Sequence, residues 1–224
     1  MVSAASAIPR AESTPADVDG GVIGVLALQG SFSLHRRSVE RAGVACREVR
    51  KPEHLEGLSG LIVPGGESTT IENLARRSGL FDAIRARGRA GWPIFGTCAG
   101  AILLGTGDER PLRWGLADVE ALRNAYGTQI DSFVAELSLA PFSEPFHGVF
   151  IRAPRLRVAA GARGVEVLGT HDGDPVLVRA GRLLLTSFHP ELTDDLRLHR
   201  YFLGLCGLVV APRVPAAAAP GGAS

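Results

Sequence analysis

Between Trp92 and Leu104 the sequence leaves the backbone few options. Ile94 and Phe95 form a short apolar run that reads as the end of a strand, and Ala99 onward reads as a helix. Between them lies Gly96-Thr97-Cys98-Ala99-Gly100, a Gly-x-Cys-x-Gly form of the nucleophile elbow. In such a turn the reactive side chain stands where a strand gives way to a helix, and glycines remove Cβ atoms that would collide. The helix N-terminus then faces the sulfur and favours the thiolate. A buried structural cysteine beside two packing glycines is the competing account of the same residues.

The segments around the elbow fit a parallel sheet. Val22–Leu28 is a nearly continuous apolar run, as in a strand covered on both faces. A turn at Gln29-Gly30-Ser31 leads to a helix ending near Gly43, then to strands at Val44–Val49 and Leu61–Val63. Helices are expected at Ile71–Arg77 and Phe81–Arg89. Strand and helix in alternation imply right-handed crossovers, with ligands bound beyond the carboxyl ends of the strands. Pro64-Gly65-Gly66-Glu67-Ser68-Thr69-Thr70 and the elbow both fall at that edge. After Leu104, short runs at Gln129–Leu137, Gly148–Ile151, Val165–Leu168, Val176–Val178 and Leu183–Ser187 predict further, partly antiparallel sheet. A helix over Leu192–Leu205 closes the unit. The fold class is therefore α/β: a three-layer, mixed but mostly parallel sheet flanked by helices.

With 224 residues, 46% of them hydrophobic, the chain can bury one such domain. We expect it at residues 21–210, between a disordered leader (1–20) and a disordered tail (211–224). The leader has no apolar core and carries Glu12, Asp17 and Asp19, so it does not read as a secretory signal. A formal charge of +1 argues against nucleic acid or an anionic membrane as the main partner. No run nears the roughly 18 apolar residues of a membrane span. Cys46, Cys98 and Cys206 are too few and scattered for a disulfide framework or a zinc site, so no metal is expected, and they suit a reducing cytoplasm.

A cysteine nucleophile needs a base, and the base needs an orienting group. His35 and His199 fall in helices, His54 in a connection and His147 in a turn; each reads as surface or core. His171-Asp172 competes, but in a turn-like stretch. His189 lies just past an apolar strand, at the edge where the elbow opens, and Pro190 stiffens the link to Glu191.

Pro-Gly-Gly-Glu-Ser-Thr at 64–69, Gly-Thr-Cys-Ala-Gly at 96–100 and Ser-Phe-His-Pro-Glu-Leu at 187–192 resemble the class I (triad) glutamine amidotransferases, whose fold is flavodoxin-like. More narrowly, the chain resembles the glutaminase subunits of pyridoxal 5′-phosphate synthase. Leu26-Ala27-Leu28-Gln29-Gly30, Arg123-Asn124-Ala125-Tyr126-Gly127 and Gly148-Val149-Phe150-Ile151-Arg152-Ala153-Pro154 carry that likeness, which spans roughly residues 22–205. Two departures stand out. Thr128 occupies a position where these subunits usually carry arginine, and Gly105–Leu116 is shorter than expected.

The resemblance implies specific roles. Cys98 would attack the side-chain amide of L-glutamine, His189 would shuttle the proton, and Glu191 would hold its tautomer. Backbone N–H groups of Gly65, Gly66 and Ala99 would form the oxyanion hole. Gly66, Glu67, Ser68, Arg123, Ile151 and Arg152 would contact glutamine. Ammonia would pass to a barrel-shaped synthase subunit within a large hetero-oligomer for vitamin B6 biosynthesis. This chain would need no cofactor and would bind no pyridoxal phosphate catalytically. Rival accounts are another triad glutaminase, such as that of histidine biosynthesis, a non-catalytic regulatory subunit of the same fold, and a DJ-1-like cysteine protein.

Overall fold

A computed structural model describes residues 21–107, 112–122 and 132–209. The expected leader and tail, together with Arg123, Tyr126 and Thr128, lie outside the described residues. No helix among the described residues is long and apolar enough to cross a membrane.

The main sheet has seven strands. In chain order these are β1 (Val22–Leu26), β2 (Ala45–Val49), β3 (Leu58–Val63), β4 (Ile94–Thr97), and then β9 (Val165–His171), β10 (Asp174–Ala180) and β11 (Leu183–Thr186). Their spatial order is β2-β1-β3-β4-β11-β10-β9. The first five run parallel, and β10 and β9 close the edge antiparallel. Two antiparallel pairs complete the strands, β5 (Val119–Leu122) with β8 (Arg155–Val158) and β6 (Ser132–Leu137) with β7 (Phe146–Ile151). Asp172 and Gly173, at φ 50° and 83°, make the tight β9–β10 turn.

The pleat explains the layers. On β1, Ile23 and Val25 face one core, joined by Ile62, Phe95 and Leu184 from β3, β4 and β11. Leu26, Leu61, Val63, Ile94 and Leu185 face the opposite core. Helices α2 (Ser68–Arg77), α3 (Leu80–Arg89) and α4 (Ala99–Leu104) cover the second, through Ile71, Ala75, Phe81, Ile84 and Leu103. Helices α1 (Phe32–Arg41) and α5 (Arg197–Leu205) cover the first, through Val39, Leu198, Phe202 and Leu203. Each central strand is thus buried on both faces, which is why β1, β3 and β11 read as unbroken apolar runs.

Two helices start several residues away from the sequence expectation. Helix α2 begins at Ser68 because the Glu67 carboxylate accepts from the Thr69 and Thr70 N–H groups at 3.1 and 2.6 Å, a capping arrangement. The closing helix begins at Arg197, not Leu192. Pro190–Leu192 instead forms a single 3₁₀ turn, which Thr193 ends in an extended conformation. The Asp195 carboxylate then accepts the Arg197 N–H at 2.9 Å as α5 starts. His147, expected in a turn, lies in β7 and pairs across strands with Glu136 at 2.6 Å.

Candidate active site

The elbow forms as its residues dictate. Cys98 has φ 49° and ψ −103°, a conformation that costs an L-residue on the order of 1–3 kcal/mol and persists only when its surroundings enforce it. Its N–H donates to Thr186 O on β11 at 2.8 Å. Glycine is required on both sides. A Cβ on Gly96 would come within 2.6 Å of the Gly100 backbone, and one on Gly100 within 2.0 Å of the Val63 carbonyl. Helix α4 therefore sits directly on the end of β3, with Cys98 at its N-cap.

The neighbouring strand ends deliver the partners. Beyond β11 the chain reaches His189, whose N–H donates to Val149 O on β7 at 2.8 Å. Its Nδ1 is 2.8 Å from Glu191 Oε1, and the imidazole lies close enough to the Cys98 sulfur for the two to interact electrostatically. With Nδ1 engaged by the carboxylate, Nε2 is the nitrogen left for sulfur. Gly65, past the end of β3, lies against both groups. A Cβ there would fall 2.4 Å from His189 Cε1 and 3.4 Å from Cys98 Cβ. Side chains at 98, 189 and 191 thus meet at one rim of the sheet.

Electrostatics follow from burial and contact. Burial alone would push the His189 imidazole down, but the sulfur and the Glu191 carboxylate outweigh it and hold its pKa at about 10. Burial would likewise raise Glu191; contacts with His35, His189 and Ser31 instead keep it near 2. Ser31 Oγ donates to Glu191 Oε1 at 2.5 Å. Burial pushes His35 down, so that ring acts on Glu191 as a neutral dipole and not as a cation.

In front of the sulfur is a cavity of about 330 Å³, lined by Gly66, Glu67, Ser68, Cys98, Ala99, Ile102, Arg152 and Pro154. Arg152 adopts φ 44° at the end of β7, where a guanidinium would suit a carboxylate. Glu67 reaches the cavity while its carboxylate caps α2 and its N–H donates to Gln29 Oε1 at 2.7 Å. Ile151 contributes differently: the residue is 41% exposed, while its carbonyl lies 3.9 Å from the Cys98 sulfur. The Gly65 carbonyl accepts from the Ser31 N–H at 3.1 Å. In a trans peptide the Gly66 N–H projects from the opposite side. Gly30 makes this approach possible, since its φ is 100° and a Cβ would strike Gly65 O.

Sequence reasoning passed over Ser31, His35, Thr97 and His199, all within the polar surroundings of Glu191. The competing His171 stacks on Phe133 and Phe150 and pairs with Asp172.

The profile of the SNO glutamine amidotransferase family matches residues 25–207. A pyridoxal 5′-phosphate synthase subunit PdxT from Thermus thermophilus is 53% identical over 192 residues, covering 84% of this chain and 99% of the relative. The PdxT of Deinococcus radiodurans is 49% identical over 193 residues, covering 83% and 97%. A crystal structure described as a glutamine amidotransferase superposes with a TM-score of 0.78 at 52% identity, covering 84% of this chain and all of the other. PurLQS from Thermotoga maritima, at 18% identity and a TM-score of 0.64 over 83% of this chain and 98% of that one, shares the fold.

Proposed function

The chain belongs to the SNO glutamine amidotransferase family, and from that premise we propose that it is the glutaminase subunit of a pyridoxal 5′-phosphate synthase, with Cys98, His189 and Glu191 as its triad. The observation that carries the triad is the chain of contacts at the sheet rim, from sulfur to imidazole and from imidazole to carboxylate at 2.8 Å.

Glutamine enters the cavity with its side-chain amide over Cys98. Sulfur attacks the amide carbon, and the oxygen becomes an oxyanion that meets the N–H groups of the Gly65-Gly66 turn and Ala99. One such donor is worth about 2.7–4 kcal/mol of barrier, so the orientation of a single peptide decides the rate. His189 holds the proton given up by sulfur and passes it to the leaving nitrogen, which departs as ammonia. A glutamyl thioester remains. His189 then takes a proton from water, the hydroxide displaces sulfur, and glutamate leaves. Glu191 keeps Nδ1 protonated throughout, so that Nε2 faces the reacting atoms. Gly66, Glu67, Ser68, Ile151 and Arg152, together with Arg123 outside the described residues, contact glutamine; Arg152 is suited to its α-carboxylate.

The PdxT relatives are subunits by name. We extend the likeness to a barrel-shaped synthase partner in a large hetero-oligomer, which takes the ammonia directly. The unpaired Cys46, Cys98 and Cys206 suit a reducing compartment such as the cytoplasm. Glutamate release from glutamine, measured with and without the synthase, tests this reading. Activity that rises with the synthase and vanishes in Cys98→Ala is expected; turnover surviving in Cys98→Ala would refute the triad.

A further inference from the structure

Behind the triad lies a second row of polar side chains that the reaction above does not use. His35 on α1 and His199 on α5 are fully buried, each on the apolar stripe of its helix. His35 Nε2 is 3.3 Å from Glu191 Oε2 and 3.1 Å from Thr97 Oγ1. His35 Nδ1 is 3.0 Å from His199 Nε2. Burial pushes both imidazoles down, His199 to about 3, so each ring is neutral near pH 7 and has one N–H to place.

Two arrangements of those protons are possible. With the proton on His35 Nδ1, that nitrogen donates to His199. A lone pair on His35 Nε2 then accepts from Thr97 Oγ1 but also faces an ionised carboxylate oxygen at 3.3 Å, and the remaining His199 N–H is buried at Nδ1, an atom with no hydrogen-bond partner. With the proton on His35 Nε2, it hydrogen-bonds Thr97 Oγ1, while Glu191 Oε2, which accepts no hydrogen bond, lies 3.3 Å from the same nitrogen. His199 Nε2–H then donates to His35 Nδ1, and the unpartnered His199 Nδ1 is an acceptor. Buried N–H groups without partners are the rarer of the two defects, and an N–H dipole 3.3 Å from a carboxylate oxygen is electrostatically favourable where a lone pair is not. Both ends of the row select the second arrangement.

We propose that His35 is a positioning residue for glutamine hydrolysis, its ring held in that tautomer by His199 and Thr97 and its Nε2–H restraining the outer oxygen of Glu191 through a 3.3 Å charge–dipole contact. The proposal rests on reading Cys98, His189 and Glu191 as the triad. Ser31 and His189 both bind Oε1, and the terminal torsion of a glutamate is soft. A contact on Oε2 is what stops the carboxylate from rotating and tilting the imidazole away from sulfur.

Steady-state glutaminase kinetics of the full chain with its synthase would compare wild type with His35→Leu, His35→Asn and His35→Gln. A glutamine amide nitrogen reaches the place of Nε2, whereas that of asparagine reaches only the place of Nδ1. We expect His35→Leu and His35→Asn to lower kcat at least tenfold with KM within twofold, and His35→Gln to return within about threefold of wild type. Wild-type kcat in His35→Leu, or a folded His35→Gln as slow as His35→Leu, overturns the proposal. Long-range ¹H–¹⁵N spectra of the unmodified chain read the tautomer without turnover. A protonated Nε2 on His35 supports the assignment, and a protonated Nδ1 overturns it. Because this readout needs no activity, failure of the positioning role is distinguishable from failure of the triad, which Cys98→Ala tests separately.

Discussion

Ser31 Oγ stands 2.5 Å from Glu191 Oε1, joining the turn after β1 to the carboxylate that orients His189. The main chain of the same serine donates its N–H to Gly65 O. One residue thus supports the triad through its side chain and the glycine turn through its backbone.

Ser31→Ala removes the first support and keeps the second. A hydrogen bond to a charged acceptor contributes about 1.5–3 kcal/mol. We expect kcat for glutamine hydrolysis to fall roughly tenfold with KM nearly unchanged, since the cavity lining is untouched. Steady-state assays at saturating synthase check this, and an unaltered kcat would count against a role for Ser31 in holding Glu191.

Two glycine substitutions should separate catalysis from stability. In Gly65→Ala the new methyl meets the His189 ring at 2.4 Å, a side chain that can swing away from sulfur. The expected result is a loss of at least a hundredfold in kcat with a melting temperature within a few degrees of wild type. In Gly100→Ala the methyl meets the Val63 carbonyl at 2.0 Å, backbone at the centre of the sheet. Overpacking of this kind costs about 1–3 kcal/mol or more, so this variant should lose stability as well as activity in thermal denaturation. Equal melting temperatures for the two variants would contradict the packing argument.

The sequence carried the strand rhythm, the elbow and the His-Pro-Glu turn because each is a local pattern. Unbroken apolar runs announced β1 and β11, and glycines at 96 and 100 announced a close approach that the structure places against Val63. Less local facts were hidden. That β11 inserts beside β4, bringing His189 to Cys98, depends on pairing across almost 90 residues and has no periodic signature. His35 and His199 read as ordinary helical histidines. A signal did exist: His35, Ser38, Val39 and Ala42 share one helix face, as do His199, Phe202, Leu203 and Cys206, so both rings lie on stripes otherwise meant for the core. The Glu67 side chain was assigned to substrate alone because a capping carboxylate and a binding carboxylate look the same in a sequence.

The pH dependence of stability follows from the imidazole–carboxylate pair. Glu191 falls from 4.5 to about 2 on folding, so its contribution is present above pH 4.5 and is lost as pH drops toward 2. His189 rises from 6.5 to about 10, so its contribution is present below pH 6.5 and is lost as pH climbs toward 10. Both shifts share the His189–Glu191 contact, with the Cys98 sulfur adding to that of His189 and His35 and Ser31 to that of Glu191, and their joint effect is full between pH 4.5 and 6.5. Each titrating proton can add a slope of up to about 1.4 kcal/mol per pH unit. Denaturant unfolding at pH 3, 5.5 and 9 should show wild-type stability declining on both sides. Glu191→Gln should flatten both declines, and identical slopes in the two proteins would sink the assignment.

The three thiols should differ sharply toward an alkylating agent. Cys46 and Cys206 are held as thiols up to about 12, in each case chiefly by burial. A thiol is a poor nucleophile, so both should be inert near pH 7. Cys98 instead borders the 330 Å³ cavity and contacts an imidazole that retains its proton to about pH 10. Iodoacetamide at neutral pH should therefore add one equivalent per chain, at Cys98, and abolish glutamate release in step with labelling. Glutamine present during the reaction should slow it, because substrate occupies the same cavity. Mass spectrometry of the labelled chain decides the matter: modification at 46 or 206 at a rate comparable to 98 would show that the cavity and the imidazole do not single out this sulfur.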